Sequence, residues 1–91
     1  MDNKNQYKKL KELLNNNTTW PLKYMFKCVA PVNSMNINHV LSILSVYGEV
    51  KFKDSEKKNY VSLTCICYMK NADEIIKITD MLSGFEDIMV L

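Results

Sequence analysis

The feature that most constrains the fold is a ten-residue stretch in which apolar and polar side chains alternate. Residues 60–69 read YVSLTCICYM, so that every second side chain from Val61 to Met69 is apolar. Side chains with this period lie on opposite faces of a β-strand, which predicts a strand with one buried face. A second alternating stretch, LKYMFKCVA, covers residues 22–30 and ends at Pro31. The sequence therefore predicts two long strands.

Residues 35–47 have the spacing of an amphipathic helix. Apolar positions recur at intervals of three and four, which places them on one buried stripe. We expect Asn33 or Ser34 to cap the start of this helix. We expect Gly48 to end it in a left-handed conformation. The stripe consists of Ile37, Val40, Leu41, Leu44 and Tyr47.

A second helix is predicted directly after the longest strand. Asn71 can cap its start, and Glu74 stands three residues further on, at the spacing of a capping box. Gly84 is expected to close it. Its buried stripe consists of Ile75, Ile78, Thr79 and Leu82.

Residues 4–14 predict a short N-terminal helix that ends in the polar run 15–19. We expect its apolar stripe to dock on the rest of the protein, because the stripe is too small to hold the chain on a membrane. Residues 1–18 are thus interpreted as a helix with its connector, and residues 19–91 as one domain. The stripe consists of Tyr7, Leu10, Leu13 and Leu14.

Two shorter strands complete the pattern. Residues 49–54, EVKFKD, place Val50 and Phe52 on the face that we expect helices to cover, and lysines on the other. A polar turn over residues 55–59 joins this strand to the longest one as a hairpin. The ending FEDIMVL predicts a last strand with Ile88 and Val90 on one face.

The order of the elements predicts an α+β fold. A helix is followed by β-α-β-β-α-β, and right-handed crossovers then give a four-stranded antiparallel sheet with two helices on one face. This is a ferredoxin-like sandwich with an additional N-terminal helix. The second and fourth strands form the edges. The fourth has no Lys or Pro to prevent pairing, so we expect the N-terminal helix or a second copy of the chain to cover it.

The sheet face away from the helices is the predicted functional surface. It mixes cationic, hydroxyl and apolar side chains, which suits a partner, a small anion or a second sheet. The simpler alternative is a solvated face that the lysine stems shield in part. The residues expected there are Lys23, Met25, Lys27, Lys51, Lys53, Tyr60, Ser62, Thr64, Ile66 and Tyr68.

Composition narrows the classes of function. The formal net charge is +2, and all twelve basic residues are lysine. Arg is the usual residue for bidentate contacts to phosphate or guanine, so its absence argues against sequence-specific nucleic-acid binding. Three cysteines, an odd number, suit reduced thiols in a reducing compartment. With no signal peptide and no apolar run near the ~20 residues of a spanning helix, we expect a cytoplasmic protein without a membrane partner.

Catalytic, metal-binding and cofactor-binding patterns are weak. The single histidine, His39, falls on the predicted helix surface, and no Ser or Cys has a base arranged around it. Cys65 and Cys67 share one strand face, but a structural zinc site needs four ligands, and we interpret both as buried apolar residues. The carboxylates Asp73 and Glu74 suit the dipole at a helix start better than acid–base work. We expect neither an enzyme nor a bound cofactor or metal.

Several short motifs, in this order and spacing, resemble the YbeD-like family of small bacterial proteins. They are Trp20-Pro21 with YMFKCVAP, the stretch 55–64, the helix start 71–76 and the ending 88–91. The resemblance covers roughly residues 19–91. It implies a ferredoxin-like fold similar to ACT-type regulatory domains, and no established activity, catalytic residue or cofactor. The family commonly has a glycine just before the long strand, where this chain has Lys57-Lys58-Asn59. Asn59 tolerates positive φ better than most residues.

These observations favour a non-enzymatic regulatory or adaptor domain that binds a small metabolite or a partner protein and forms a homodimer. The candidate binding residues are Lys23, Lys27, Tyr60 and Thr64. The alternative is nucleic-acid or ribosome-associated binding through the lysines of the same face. Its candidate residues are Lys23, Lys27, Lys51 and Lys53.

Overall fold

The structure, a computed structural model, describes the backbone of residues 3–91 and the side chains of residues 7–16 and 18–91. The three helices are α1 (Asn3–Asn17), α2 (Ile37–Leu44) and α3 (Ala72–Ser83). The four strands are β1 (Leu22–Pro31), β2 (Val50–Asp54), β3 (Tyr60–Met69) and β4 (Met89–Val90). These elements alternate along the chain in the order that the sequence predicts.

The sheet confirms the ferredoxin-like fold. Its strand order is β2-β3-β1-β4, and every neighbouring pair is antiparallel. The two long strands lie at the centre and pair along their whole length, from Leu22 opposite Met69 to Pro31 opposite Tyr60. The two shorter strands form the edges, as expected.

The core lies between one sheet face and the helices. Alternate residues of β1 and β3 are buried, which confirms the period-two interpretation. The helices α2 and α3 contribute the apolar stripes that their spacing predicts. The largest fully buried side chains are Leu44, Leu63, Met69, Ile75, Ile78, Leu82, Val40, Cys28 and Cys65.

The start of α3 has the predicted cap. The side chain of Asn71 accepts a hydrogen bond from the backbone N–H of Glu74 at 2.9 Å. The Glu74 carboxylate reaches back to the N–H of Lys70, one residue before the cap, at 3.1 Å. Both acceptors satisfy backbone donors at the first turn.

The start of α2 differs from the prediction. The helix begins at Ile37 after Asn36, so neither Asn33 nor Ser34 is its cap. The cause is a contact distant in sequence, because Asp87 engages the side chains that precede the helix. Ser34 Oγ donates to one carboxylate oxygen at 2.5 Å, and Asn36 Nδ2 donates to the other at 2.8 Å. The helix also ends earlier than expected, at Leu44.

The expected left-handed conformation of Gly48 is wrong, since no glycine has a positive φ among the residues that the structure describes. Gly48 instead lies close to β3. A Cβ atom at Gly48 would stand 3.0 Å from the carbonyl oxygen of Ile66 and 3.4 Å from Cys65 Sγ. Glycine is needed here for space.

Two apolar residues expected to be covered are exposed. Phe52 is half exposed, because β2 is the outermost strand and α2 is only eight residues long, so the helix layer does not extend over it. Leu13 is also exposed, whereas Leu14 packs against the core. α1 thus docks along α3 by a narrower stripe than predicted, with an exposed ion pair between Lys11 and Asp73 at 2.8 Å.

The hairpin between β2 and β3 uses Lys58 at the position of positive φ, at +57°, and Asn59 does not take that role. The carbonyl of Ser55 accepts the N–H of Lys58 at 2.9 Å, and the N–H of Ser55 donates to the carbonyl of Tyr60 at 2.9 Å. The turn therefore survives without glycine, at the cost of a lysine in the left-handed region.

The last strand is shorter than the segment FEDIMVL. Only Met89 and Val90 pair with β1, opposite Val29 and Cys28, and the N–H of Leu91 adds one bond to the carbonyl of Lys27 at 2.9 Å. Within residues 3–91, no strand therefore pairs with the first half of β1 on that side.

We predict that Gly48→Ala destabilises the protein by about 1 kcal/mol or more, because the new methyl group meets the backbone of β3. Gly84→Ala is the matched control, since its Cβ would meet only Met81 O at an ordinary 3.4 Å. Urea unfolding measures both. Equal stability of the two variants would contradict the close approach at Gly48.

We predict that Lys58→Gly stabilises the hairpin by roughly 0.5 kcal/mol, because glycine adopts positive φ without the steric cost that lysine bears. The control Lys57→Gly gives a protein of the same composition, but Lys57 does not have a positive φ. This substitution should therefore lower the stability of the protein by roughly 0.5 kcal/mol, because glycine loses more conformational entropy on folding. Thermal unfolding of the pair distinguishes the two positions. A lower melting temperature for Lys58→Gly would contradict the turn geometry.

Candidate functional site

The open face of the sheet brings cationic and hydroxyl side chains together across three strands. Thr64 on β3 lies opposite Lys27 on one side and opposite Lys51 on the other. Neighbouring strands are about 4.8 Å apart, so the Cα atoms of the two lysines are about 10 Å apart with the Thr64 hydroxyl between them. Both ammonium groups can therefore approach one anion above Thr64.

The adjacent row extends this arrangement. Ser62 lies opposite Lys53, and its hydroxyl donates to the carbonyl oxygen of Lys53 at 3.3 Å. A concavity of about 250 Å³ lies here, lined among others by Lys27, Lys53 and Tyr60. We call the combined surface the lysine–hydroxyl patch. It consists of Lys27, Lys51, Lys53, Tyr60, Ser62 and Thr64.

The chemistry of the lysine–hydroxyl patch is that of a hydrogen-bond donor surface. Lysine ammonium groups offer only donors, and Ser, Thr and Tyr hydroxyls can each donate one more. Asp54 also lines the 250 Å³ concavity, and Glu49 lines a neighbouring one of about 220 Å³ with Lys51 and Thr64. The patch thus combines three lysines with two neighbouring carboxylates. It can hold a carboxylate or a phosphate group by charge and hydrogen bonds.

An apolar surface continues from the patch along the central strands. Met25 lies opposite Ile66, and Lys23 lies opposite Tyr68. The side chains of Met25, Ile66 and Tyr68 are 54%, 52% and 67% exposed. We call these three residues the apolar patch. Contiguous exposed apolar side chains of this kind are a common feature of interaction surfaces.

Three of the four candidate residues from the sequence come together. Lys27, Tyr60 and Thr64 belong to the lysine–hydroxyl patch. Lys23 does not, because it lies four residues before Lys27, about 13 Å along the strand, beside Tyr68. The candidate set omitted Lys51, Lys53 and Ser62. Alternation places all three on the open face, but only the strand register sets Lys51 opposite Thr64 and Lys53 opposite Ser62. Counting across the predicted five-residue turn would instead have paired Lys53 with Val61.

The three cysteines are free thiols inside the core. Burial raises the pKa of Cys28 and of Cys67 to about 11, so both remain protonated at neutral pH. The Cys65 thiol donates to the carbonyl oxygen of Leu44 at 3.6 Å. Among the described residues, no three His, Cys, Asp or Glu side chains come together as metal ligands. The Cys65-x-Cys67 motif therefore packs as part of the apolar core.

Asp87, His39, Asp73 and Glu74 interact with neighbouring residues at separate places in the fold and do not form a common site. Hydrogen bonds donated by Ser34 and then Asn36 hold the pKa of Asp87 below its ordinary value. His39 is exposed on α2 and stacks on Phe85 with ring centroids 5.6 Å apart. Asp73 and Glu74 lie in the first turn of α3. Each group has a local structural partner.

None of the helices in the described part of the chain has both the length and the apolar character needed to cross a bilayer.

We predict that stability falls as the pH rises from about 9 towards about 11, partly through Cys28 and Cys67. The unfolded chain releases these protons near the ordinary thiol pKa of 9.0, whereas the folded chain holds them to about 11. Their contribution is therefore complete below pH 9 and is lost as the pH approaches 11, by on the order of 1 kcal/mol per thiol at pH 10.

Urea unfolding at pH 7–10.5 measures this loss. Cys28→Ala should lose stability less steeply than the unsubstituted protein over the same range, because lysine and tyrosine titrations are common to both. Parallel curves would contradict the protonated, buried thiol.

Comparison with known proteins gives one family and no close relative of known role. No curated protein and no solved structure matches the chain. A family model described as "Protein of unknown function (DUF493)" matches residues 15–91, which includes the whole sheet and both helices packed on it. This match agrees with the YbeD-like motifs and with the ferredoxin-like strand order. The chain belongs to the DUF493 family, whose function is unknown.

Proposed function

We propose that this protein is a non-enzymatic regulatory domain that binds a small anionic metabolite at the lysine–hydroxyl patch. The observation that carries the proposal is the row Lys51–Thr64–Lys27, in which the strand register sets a lysine on each side of one hydroxyl residue, across β2, β3 and β1. The metabolite would present a carboxylate or phosphate group to this row. A second part of it would lie in the neighbouring concavity beside Lys53 and Tyr60.

The size and rigidity of the surface support a small ligand. The two concavities, of about 250 and 220 Å³, are both smaller than the usual small-molecule site of at least about 300 Å³, so that each has room for a small fragment of a ligand. The patch lies across three paired strands, with three of its residues on β3, two on β2 and Lys27 on β1, and the pairing holds the side chains at fixed spacing. Lysine serves well as a point charge for an anion even where the planar geometry of arginine is absent.

A binding role has more support than an enzymatic one. The thiols are protonated and buried, and the carboxylate of Asp87 is held by Ser34 and Asn36. The patch itself offers donors and cations, without a nucleophile paired to a base. A cytoplasmic location belongs to the same proposal, since three unpaired thiols suit a reducing compartment.

A second candidate function is docking of a partner protein or of a second copy on the apolar patch. The exposure of Met25, Ile66 and Tyr68 favours it. Nucleic-acid binding through the four lysines of the face has less support. Tyr60 and Tyr68 stand at the two ends of β3 and away from its centre, where stacked bases would need them.

The test is an amide NMR titration of the ¹⁵N-labelled protein with pooled amino acids, nucleotides and acyl metabolites. We expect shifts at Lys27, Ser62 and Thr64 with an anionic pool. For the ligand found, Lys27→Gln/Lys51→Gln should weaken binding about tenfold, the loss expected when charge-assisted hydrogen bonds are removed. Lys70→Gln/Lys77→Gln removes the same charge from exposed positions outside the sheet face and is the matched control.

Two results would contradict the proposal. One is equal weakening in both double variants, which would indicate a general charge effect. The other is the absence of shifts with every pool, together with binding of a single-stranded oligonucleotide that weakens steeply as salt rises. Such salt dependence is typical of phosphate-backbone contacts and would assign the face to nucleic acid.

A further inference from the structure

The first half of β1 has a free backbone edge. The carbonyl of Lys27 accepts the N–H of Leu91, so odd-numbered residues of β1 direct their backbone groups to the β4 side. Because β4 ends the pairing there, the N–H and C=O groups of Lys23 and Met25 face that side without a strand partner in the described structure. Tyr24 and Phe26, in contrast, direct theirs to β3.

A pocket of about 290 Å³ lies beside this edge, between the sheet and the helices. Tyr7 and Leu10 of α1 form one wall, and Tyr24 and Phe26 of β1 form another. Val90 closes the end next to β4. Thr79 and Ser83 of α3 also line the pocket, beside the aromatic and aliphatic residues. The pocket therefore has room for one largely apolar side chain from a strand that continues the line of β4.

We propose that an extended segment of a partner protein adds to β1 at residues 23–26 as an antiparallel strand. In such a pair, the residue opposite Tyr24 points into the pocket, and the next residue, opposite Lys23, points to the open face. The segment therefore carries an apolar residue followed directly by Asp or Glu. The main-chain bonds to Met25 hold it, and the two side chains give the specificity.

Charge favours this occupant over a second copy of the chain. Pairing two β1 edges around Tyr24 places Lys23 opposite the Met25 of the other copy and diagonally near its Lys27. Four lysines then share one face with no carboxylate among the paired β1 residues, and like charges at these separations oppose pairing. An acidic residue opposite Lys23 replaces this repulsion with an attraction between opposite charges. This inference goes beyond the proposed metabolite site and does not depend on it.

The first test uses the capped peptide Ac-Thr-Val-Leu-Asp-Thr-NH₂, with Leu placed opposite Tyr24 and Asp opposite Lys23. The control, Ac-Thr-Val-Asp-Leu-Thr-NH₂, has the same composition with the two residues exchanged. At about ten times the Kd of the first peptide, we expect hydrogen exchange of the Met25 amide to slow about tenfold. The control peptide should leave that rate nearly unchanged at the same concentration.

A charge reversal sharpens the test. Lys23 is exposed, so Lys23→Glu should keep the fold, which the same amide spectrum verifies. This variant should bind the Asp peptide more weakly and should prefer Ac-Thr-Val-Leu-Lys-Thr-NH₂.

Three results would overturn the inference. They are unchanged exchange at Met25 with the Asp peptide, equal effects of the two exchanged peptides, and protection of Met25 in the protein alone that rises with protein concentration. The last result would show that a second copy occupies the edge.

Discussion

The antiparallel pairing of β1 with β3 is the interaction on which the rest of the structure depends. Ten consecutive pairs, from Leu22 with Met69 to Pro31 with Tyr60, align two strands whose apolar residues alternate in phase. A slip of one residue would turn the buried side of one strand to solvent. The same register that buries Phe26 against Cys65 places Lys27 beside Thr64. The register of β1 against β3 thus determines both which side chains form the core and which side chains lie together on the open face.

Features that depend on local pattern could be predicted from the sequence. Strand alternation gave the buried and open faces, the capping box gave the start of α3, and the order of elements gave the sheet. The errors involve distant contacts. Asp87 lies 53 positions from Ser34 and alters the start of α2. The carbonyl group of Ile66 lies so close to Gly48 that a side chain at position 48 would not fit. Phe52 looked buried by alternation, yet the short α2 leaves the outer strand uncovered.

The candidate site was predictable to the same degree. Alternation within each strand places all six patch residues on the open face, whereas the pairing of Lys51 with Thr64 and of Lys53 with Ser62 requires the register across the hairpin. The free edge of β1 could not be anticipated, because it follows from β4 pairing over only two residues. The surface proposed for a metabolite and the edge proposed for a peptide meet at Lys27 and Leu91, and both include part of β1.

The most direct test of this account is a nuclear Overhauser spectrum of the Hα protons across β1 and β3. In the described register, Lys27 and Thr64 form a non-hydrogen-bonded pair, as do Met25 and Ile66, with Cα atoms about 4.5 Å apart. Strong Hα–Hα cross-peaks are predicted for both pairs. Cross-peaks that instead join Lys27 to Leu63 or Cys65 would show a register shifted by one residue. A register shifted in this way would separate Lys27 from Thr64, and the lysine–hydroxyl patch would not exist as described.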